Sequence, residues 1–147
     1  MLIKVAADVA APPDQVYAVY ADFQRWPEIF PTIHGVRLVG HDEFGLSLAI
    51  DHEEGPVPNH LLLQPPDRIE LRESKRAYEA TFVNTFHASA AGTRFEVEGD
   101  IRLNGARRIL APVVRYYARR LIRRLQVAPV QAEAERRRRD HPRPDVG

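Results

Sequence analysis

Histidine is the side chain in this sequence best suited to binding a metal ion or moving a proton near neutral pH. The chain has six, at His34, His41, His52, His60, His87 and His141. No two of them stand four residues apart, the spacing that places two ligands on one face of a helix. The chain also has no cysteine, which excludes thiolate ligands, disulfides and a cysteine nucleophile. We therefore expect no metal site.

The serines and glycines form no catalytic motif either. Ser47, Ser74 and Ser89 do not lie in the setting of a hydrolase nucleophile, and no glycine-rich loop is present to hold a phosphate. These patterns argue against hydrolases and nucleotide-binding enzymes. We assign no catalytic residue from the sequence and expect no cofactor.

A polar side chain within an apolar strand face is a further candidate for chemistry. Asn84 stands between Phe82 and Phe86 in a run that alternates with period two. It could bind a substrate group, although a buried asparagine more often bonds to backbone. His52 and His60 are also candidates, but the pattern does not fix which faces of their strands they occupy.

The elements that must position these residues begin with a strand and a helix. β-branched residues predict a strand over about 2–10, and apolar spacings of three and four after two prolines predict a short helix over 13–21. The next segment, RWPEIFP, holds the only tryptophan, Trp26. Pro27 and Pro31 restrict it to a compact turn or a very short helix.

Period-two alternation then dominates residues 33–104 and predicts six further strands. It is cleanest late in this region, where Phe95, Val97, Ile101 and Leu103 share one face and charged residues occupy the other. A sheet with one buried face and one solvated face is expected.

An arginine-rich run predicts one long amphipathic helix, with its body over about 112–128. Pro129 is expected to kink or end it. We expect a single domain over residues 1–139 and a disordered tail over 140–147. The helix face expected to meet the sheet carries Leu110, Val114, Tyr117, Leu121, Leu125 and Ala128.

Together these elements predict an α+β fold, in which a curved antiparallel sheet of about seven strands wraps around the long terminal helix. A one-sided sheet must cover its apolar face, and only the terminal helix is long enough to do so. The inward candidates Ala80, Gly99 and Ala118 are small and leave space. We expect a cavity of roughly a few hundred Å³ between sheet and helix.

Two segments and the order of elements resemble a known superfamily. The opening VAAPPDQVYAVYADFQRWPEIFP, the later GTRFEVEGDIRL and the closing helix are similar to the START-like superfamily, the helix-grip fold of birch-pollen-allergen-type proteins. Its polyketide cyclase/dehydrase and coenzyme-Q-binding branch is nearest in appearance. The resemblance covers residues 3–135. It implies binding of a lipid, quinone or polyketide-like aromatic in a cavity between sheet and helix.

The resemblance also indicates where a ligand would lie. Trp26 and Phe30 are expected at the cavity mouth, where Trp26 is either a lid or a structural plug beneath the short helices. The expected ligand-binding residues are Trp26, Phe30, Leu48, Leu61, Leu63, Phe82, Asn84, Phe86, Phe95, Val97, Tyr117 and Leu121.

A cyclase or dehydratase is the second hypothesis, with Asn84 and a histidine or tyrosine as the polar groups. Cyclases of this superfamily are expected to carry a pocket arginine on the middle strands. The corresponding stretch NHLLLQ offers Asn59, His60 and Gln64 but no arginine, which weakens this hypothesis.

The uneven distribution of charge supports a third hypothesis. Residues 1–101 hold 8 Lys and Arg against 16 Asp and Glu, whereas residues 102–147 hold 13 against 4. The basic end could face the chain's own acidic sheet, or dock on ribosome, nucleic acid or an anionic membrane. No apolar run approaches the ~20 residues of a membrane span, and the lack of cysteine suits a reducing compartment. We expect a cytoplasmic monomer or homodimer.

Overall fold

Seven strands follow the predicted pattern and form one antiparallel sheet in the order β1-β7-β6-β5-β4-β3-β2. The computed structural model describes residues 1–142, so the last five residues of the predicted tail lie outside the described residues. The expected α+β architecture, a curved sheet with a long terminal helix, is confirmed. The strands are β1 (Leu2–Val9), β2 (Gly35–Asp42), β3 (Gly45–His52), β4 (Gly55–Gln64), β5 (Arg68–Ser74), β6 (Tyr78–Ser89) and β7 (Gly92–Leu103).

Strand pairing fixes which side chains share the inner face of the sheet. Leu48 pairs with Asn59, Asn59 with Glu73, and Glu73 with Ala80. Paired residues point to the same side of a sheet, so these four side chains form one row of the inner face. Their burial confirms the direction, since Leu48, Asn59 and Ala80 are buried.

The same pairing settles the positions of two histidines. His52 is two residues from the buried Ile50 and therefore lies on the inner face. His60 pairs with Ser47, next to the inward Leu48, and therefore lies on the outer face.

Two short helices close one end of the sheet, as expected. Helix α1 (Pro13–Ala21) and helix α2 (Trp26–Ile29) are joined by a 3₁₀ turn. Pro27 occupies the first turn of α2, where a backbone donor has no helical partner, so proline is tolerated there. Phe30 then adopts an extended conformation, which suits a residue that precedes Pro31.

The carboxyl-terminal helical segment runs from Gly105 to Asp140. It consists of a 3₁₀ segment (Gly105–Leu110), helix α3 (Ala111–Ile122), a π-helical segment (Arg123–Val127) and helix α4 (Ala128–Asp140). The helix does not end at Pro129. Proline has no backbone donor for the carbonyl four residues earlier, and the helix widens to π geometry just before it. Helix α4 also includes Asp140, the first residue of the predicted tail.

The prediction of which side of this helix meets the sheet is wrong for the largest residues. Ala118 and Ile122 are buried and pack toward the sheet, on the stripe next to the predicted one. Of the predicted face, Val114 and Leu125 are partly buried, whereas Leu110, Tyr117, Leu121 and Ala128 are exposed.

The helix lies close to the sheet, and this explains why the stripe with the smaller side chains, including Ala118, faces inward. A Cβ added at Gly99 would lie 3.1 Å from the Phe82 ring and 3.5 Å from the terminal methyl of Ile122. The absence of a side chain at Gly99 and the small size of Ala118 let sheet and helix pack closely here. The predicted inward positions of Ala80, Gly99 and Ala118 are confirmed, since all three are buried.

Candidate functional site

A cavity of about 130 Å³ lies on the inner face of the sheet, beneath the π-helical segment. An engineered cavity of about 150 Å³ in another protein admits benzene, so this one has room for about one aromatic ring. It is smaller than the few hundred Å³ expected from the sequence, because large side chains fill the space. Its lining residues are Tyr20, Trp26, Phe30, Thr32, Ile33, Ile50, His52, Asn59, Leu71, Glu73, Lys75, Tyr78, Phe82, Leu125 and Gln126.

Aromatic rings form one wall of this cavity. The Tyr20 ring meets the Trp26 ring edge to face at 5.7 Å, and the Trp26 ring meets the Phe30 ring in the same way at 5.8 Å. The indole nitrogen of Trp26 donates a hydrogen bond to the Tyr20 carbonyl at 2.8 Å, and Trp26 is only 1% exposed. This ring packing and bonding favour the plug over the lid, although Trp26 also contributes to the cavity wall.

The opposite end of the cavity is polar. The Tyr78 hydroxyl donates to a carboxylate oxygen of Glu73 at 3.4 Å, and the Lys75 ammonium lies 3.3 Å from the same oxygen. The Lys75 ammonium also lies 5.7 Å from the centre of the Tyr78 ring. The turn between β5 and β6 sets this geometry, because the Lys75 amide donates to the Tyr78 carbonyl at 2.8 Å.

The local environment keeps Tyr78 in its protonated form. Burial, together with the nearby Glu73 carboxylate, raises the pKa of the Tyr78 phenol above its usual value. A neutral phenol can donate a hydrogen bond while the Glu73 carboxylate accepts one. This end of the cavity therefore suits a ligand that carries a hydroxyl or carbonyl group.

Three further polar side chains reach the cavity. The Asn59 amide donates to the Val57 carbonyl at 3.2 Å. His52 Nδ1 lies 3.0 Å from the Thr32 carbonyl oxygen. The Gln126 side-chain oxygen is buried and accepts no hydrogen bond from any residue in 1–142. A buried acceptor without a donor is costly, and a ligand donor in the cavity would relieve that cost.

Asn84, the strongest polar candidate from the sequence, is fully buried. Its amide nitrogen lies 3.3 Å from the Tyr20 hydroxyl and 3.2 Å from the Ile69 carbonyl. Asn84 therefore ties β6 to α1 and β5, which is the backbone-bonding role that buried asparagines most often have.

The predicted ligand-binding residues fall into three groups. Trp26, Phe30 and Phe82 line the cavity. Tyr117 and Leu121 are exposed on the outside of α3. The remaining seven lie on the inner face without lining this cavity, namely Leu48, Leu61, Leu63, Asn84, Phe86, Phe95 and Val97.

The polar end was missed in the sequence, although a signal was present. In β5 the residues Ile69, Leu71 and Glu73 alternate, so the glutamate continues an apolar inward face. A carboxylate on an apolar, inward strand face indicates either that the strand ends there or that the residue belongs to a binding or catalytic site. Tyr78 begins the next strand and follows the turn that brings it back to Glu73.

A larger open groove of about 970 Å³ lies on the other side of the sheet. Its side chains come mainly from outward positions, including Ser47, His60 and Thr81. The charges there are paired within the chain, as Arg102 is with Glu79. This pattern is that of a solvated outer face, so we place the candidate site in the inner cavity. Within residues 1–142, no three His, Asp or Glu side chains are grouped so as to hold a metal ion.

A curved seven-stranded sheet, a long terminal helix and a cavity between them define a helix-grip protein. Comparison of sequences identifies the family within this class. The polyketide cyclase / dehydrase and lipid transport family matches residues 2–135, and the chain belongs to it. No curated protein sequence matches the chain significantly.

Solved structures with a similar fold include bacterial and plant proteins. The Zhui aromatase/cyclase from a Streptomyces species aligns with a TM-score of 0.75 at 20% identity, covering 93% of this chain and 94% of that one. A START superfamily protein from Mycobacterium smegmatis has a TM-score of 0.75 at 13% identity, covering 92% and 97%. Norcoclaurine synthase from Thalictrum flavum has a TM-score of 0.68 at 11% identity, covering 96% and 87%. At these identities the similarity establishes the fold, which is that of the START and birch-pollen-allergen-like proteins.

Proposed function

We propose that this protein binds an apolar or aromatic small molecule that carries a hydroxyl or carbonyl group. The observation that carries the proposal is the two-ended inner cavity, with aromatic rings on one wall and the Glu73, Lys75 and Tyr78 cluster at the opposite end. Ligand pockets are typically apolar with a few placed polar groups, and this cavity has that composition. A cytoplasmic location remains part of the prediction from sequence.

The cavity volume limits what binds without rearrangement. One ring fits the 130 Å³ space, and a lipid, quinone or polyketide-like ligand needs more room. Leu125 and Gln126 of the π-helical segment cover the cavity. Because this segment departs from regular helix geometry, we place the opening movement there.

p-Cresol is a suitable probe because it has one ring and one hydroxyl. Calorimetric titration should give saturable binding to the native chain. Leu71→Phe adds volume to the cavity wall and should weaken this binding about tenfold or more. Leu62→Phe is the matched control, because Leu62 pairs with Glu70 on the outer face of the sheet. Equal binding by the native chain and Leu71→Phe would contradict the proposal.

Mass spectrometry of the purified protein addresses the natural ligand. The chain should be isolated without detergent, and its small-molecule extract compared with that of Leu71→Phe. An apolar molecule retained by the native chain and depleted from the variant is the expected result.

An enzyme of the cyclase or dehydratase type is the second candidate function. The Glu73 carboxylate and the neutral Tyr78 phenol are hydrogen-bonded to each other. This pair of polar groups in the cavity supports the enzyme hypothesis, which the absence of a pocket arginine had weakened. In such a reaction the Tyr78 hydroxyl would turn from Glu73 and donate its one hydrogen bond to the substrate carbonyl oxygen. The Glu73 carboxylate, released from that bond, would remove a proton next to the carbonyl. The resulting enolate could then form the new carbon–carbon bond.

Proton exchange tests this candidate without the natural substrate. Cyclohexanone in D₂O should exchange the protons next to its carbonyl at least about tenfold faster with the native chain than in buffer. Glu73→Gln should abolish the acceleration. Exchange at the buffer rate with the native chain would exclude catalysis by this pair on the probe and leave the binding proposal intact.

A further inference from the structure

Six apolar side chains are exposed on the 3₁₀ segment and on α3, and we call this surface the outer helix face. Their exposure ranges from 44% for Leu121 to 83% for Ile109. The residues are Ile109, Leu110, Val113, Tyr116, Tyr117 and Leu121. Single exposed apolar residues are ordinary, but a contiguous group on one helix marks an interaction surface.

The charges around this face have one sign. The sequence has no Asp or Glu between Asp100 and Glu133. Seven arginines lie on these two segments and at the start of the π-helical segment. None of them forms an ion pair with any residue in 1–142. They are Arg107, Arg108, Arg115, Arg119, Arg120, Arg123 and Arg124. The basic end therefore does not neutralise the acidic sheet through these side chains.

Helix geometry arranges the two groups side by side. Arg115, Arg119 and Arg123 recur every four residues and form one row along α3 and the start of the π-helical segment. Val113 and Tyr116 lie on the exposed stripe beside this row. A helix with an apolar stripe and a basic flank is typical of segments that lie in the plane of a membrane surface.

We propose that the outer helix face docks on an anionic lipid bilayer. The apolar side chains enter the boundary between headgroups and acyl chains, and the arginines bind lipid phosphates. Within residues 1–142, no helix is long and apolar enough to cross a membrane. The docked segment continues directly into Leu125 and Gln126, which cover the cavity, so docking places the cavity near the lipid surface.

The chemistry of the face favours a bilayer over RNA or a second copy of the chain. Four of the six side chains on this face are aliphatic; they offer no stacking surface to bases, whereas they partition into lipid. The other two, Tyr116 and Tyr117, are of the type enriched at membrane–water interfaces. In a two-fold dimer the same patch would meet itself, which would bring the unpaired arginines of the two copies together. Anionic lipid headgroups supply the negative charge with which these arginines can pair, and which no residue in 1–142 supplies to them.

Vesicle sedimentation tests the proposal. The native chain should bind vesicles of equal parts phosphatidylcholine and phosphatidylglycerol, and bind pure phosphatidylcholine vesicles far more weakly. Arg119→Gln/Arg123→Gln should weaken binding to the anionic vesicles about 30-fold, because each arginine near the surface strengthens binding about fivefold. Ile109→Ser/Tyr116→Ser should weaken it about tenfold or more.

Matched controls separate this surface from charge or hydrophobicity in general. Arg37→Gln/Arg76→Gln removes two exposed arginines elsewhere, and Val39→Ser/Phe44→Ser removes two exposed apolar residues elsewhere. Both variants should bind as the native chain does. All variants change exposed residues, and their thermal unfolding should match that of the native chain.

Several outcomes would overturn the proposal. The proposal fails if the native chain does not bind anionic vesicles at low salt, or if it binds neutral vesicles as tightly as anionic ones. It also fails if the control variants lose as much affinity as the variants of the outer helix face. Tighter binding of single-stranded RNA that survives Ile109→Ser/Tyr116→Ser would assign the surface to nucleic acid. A dimer lost with that variant, without vesicle binding, would assign it to self-association.

Discussion

The Tyr78 hydroxyl donates to a Glu73 carboxylate oxygen at 3.4 Å, across the turn that joins two neighbouring strands of the sheet. Glu73 occupies an inward position in a row that also contains Leu48 and Ala80. Its side chain is only 12% exposed, and its charge is offset by Lys75. The pair gives the cavity one end that both accepts and donates hydrogen bonds.

Glu73→Gln should weaken binding of a hydroxyl-bearing ligand and spare its apolar analogue. The substitution keeps the shape of the side chain but removes the charge from a charge-assisted hydrogen bond, which contributes about 1.5–3 kcal/mol. We expect the affinity for p-cresol to fall about tenfold or more. Toluene, which has the same ring without the hydroxyl, should keep its affinity, as measured by calorimetry.

Glu70→Gln is the matched control for that prediction. Glu70 lies on the same strand with the same 12% side-chain exposure, but on the outer face, where it pairs with Arg68 and Arg72. Its substitution should leave p-cresol binding unchanged. A similar loss of affinity in both variants would show that general charge, rather than the cavity carboxylate, controls binding.

Trp26→Ala should destabilise the fold by about 3–5 kcal/mol, because it removes a buried aromatic ring that packs against two others. The Trp26 ring contacts Tyr20 and Phe30, and its indole nitrogen satisfies a buried carbonyl. Urea unfolding of the variant measures the loss. Phe44→Ala, at a ring that is 66% exposed, should change the free energy of unfolding by less than about 0.5 kcal/mol. A loss below about 1 kcal/mol for Trp26→Ala would favour the lid instead.

The strands and the short helices were predictable from local pattern. Helix α1 was expected over 13–21, which are its observed bounds, and the opening strand was expected over 2–10 and observed as Leu2–Val9. Prolines, glycines and period-two alternation act within a few residues, so the sequence carries these boundaries directly. The paired sheet order follows from hairpins between neighbouring strands and from the return of β7 to β1.

The face of the terminal helix and the polar end of the cavity were not predictable in the same way. Periodicity identifies an apolar stripe, but it does not say whether the sheet or an outside partner covers it. The stripe with the larger residues, including Tyr117 and Leu121, stays exposed, while Ala118 packs inward. The meeting of Glu73 with Tyr78 depends on strand register, which tertiary pairing sets.

Tyrosine titration should reveal the buried phenols. Burial raises the pKa of Tyr17, Tyr20 and Tyr78, three of the five tyrosines in the chain. At pH about 10.5, phenolate absorbance of the folded chain should therefore fall short of that of the urea-unfolded chain. Tyr78→Phe should reduce the shortfall. Equal absorbance of the folded and unfolded chains would contradict the burial of these phenols.

The same groups predict how stability changes in alkali. Above pH about 10 the unfolded chain releases these protons while the folded chain retains them, so the free energy of unfolding should fall as the pH rises. Tyr78→Phe should show a shallower fall than the native chain. A free energy of unfolding that stays constant through this range would contradict the prediction.

Glu133→Gln should reduce stability at neutral pH and have less effect in acid. Hydrogen bonds from Arg136 and Arg137 lower the pKa of Glu133 to about 2. The stabilisation is present above the unfolded pKa of about 4.3 and is lost as the pH falls through the folded value. We expect a difference of about 1 kcal/mol or less at pH 7, because the pairs are on the surface.

Urea unfolding at several pH values checks that difference. Glu135→Gln is the control, since Glu135 forms no ion pair with residues 1–142. Its effect should be smaller and should not depend on pH in the same way. A Glu133→Gln effect that persists unchanged at pH about 2 would contradict the proposed pairing.

The most direct measurement of ligand binding in the inner cavity follows the single indole N–H resonance of the chain by NMR. Trp26 is the only tryptophan, and its ring forms part of the cavity wall. Titration with p-cresol should shift this resonance saturably in the native chain and in Leu62→Phe, and much less in Leu71→Phe. An indole resonance that does not move while p-cresol shifts resonances of the outer sheet face would contradict the account.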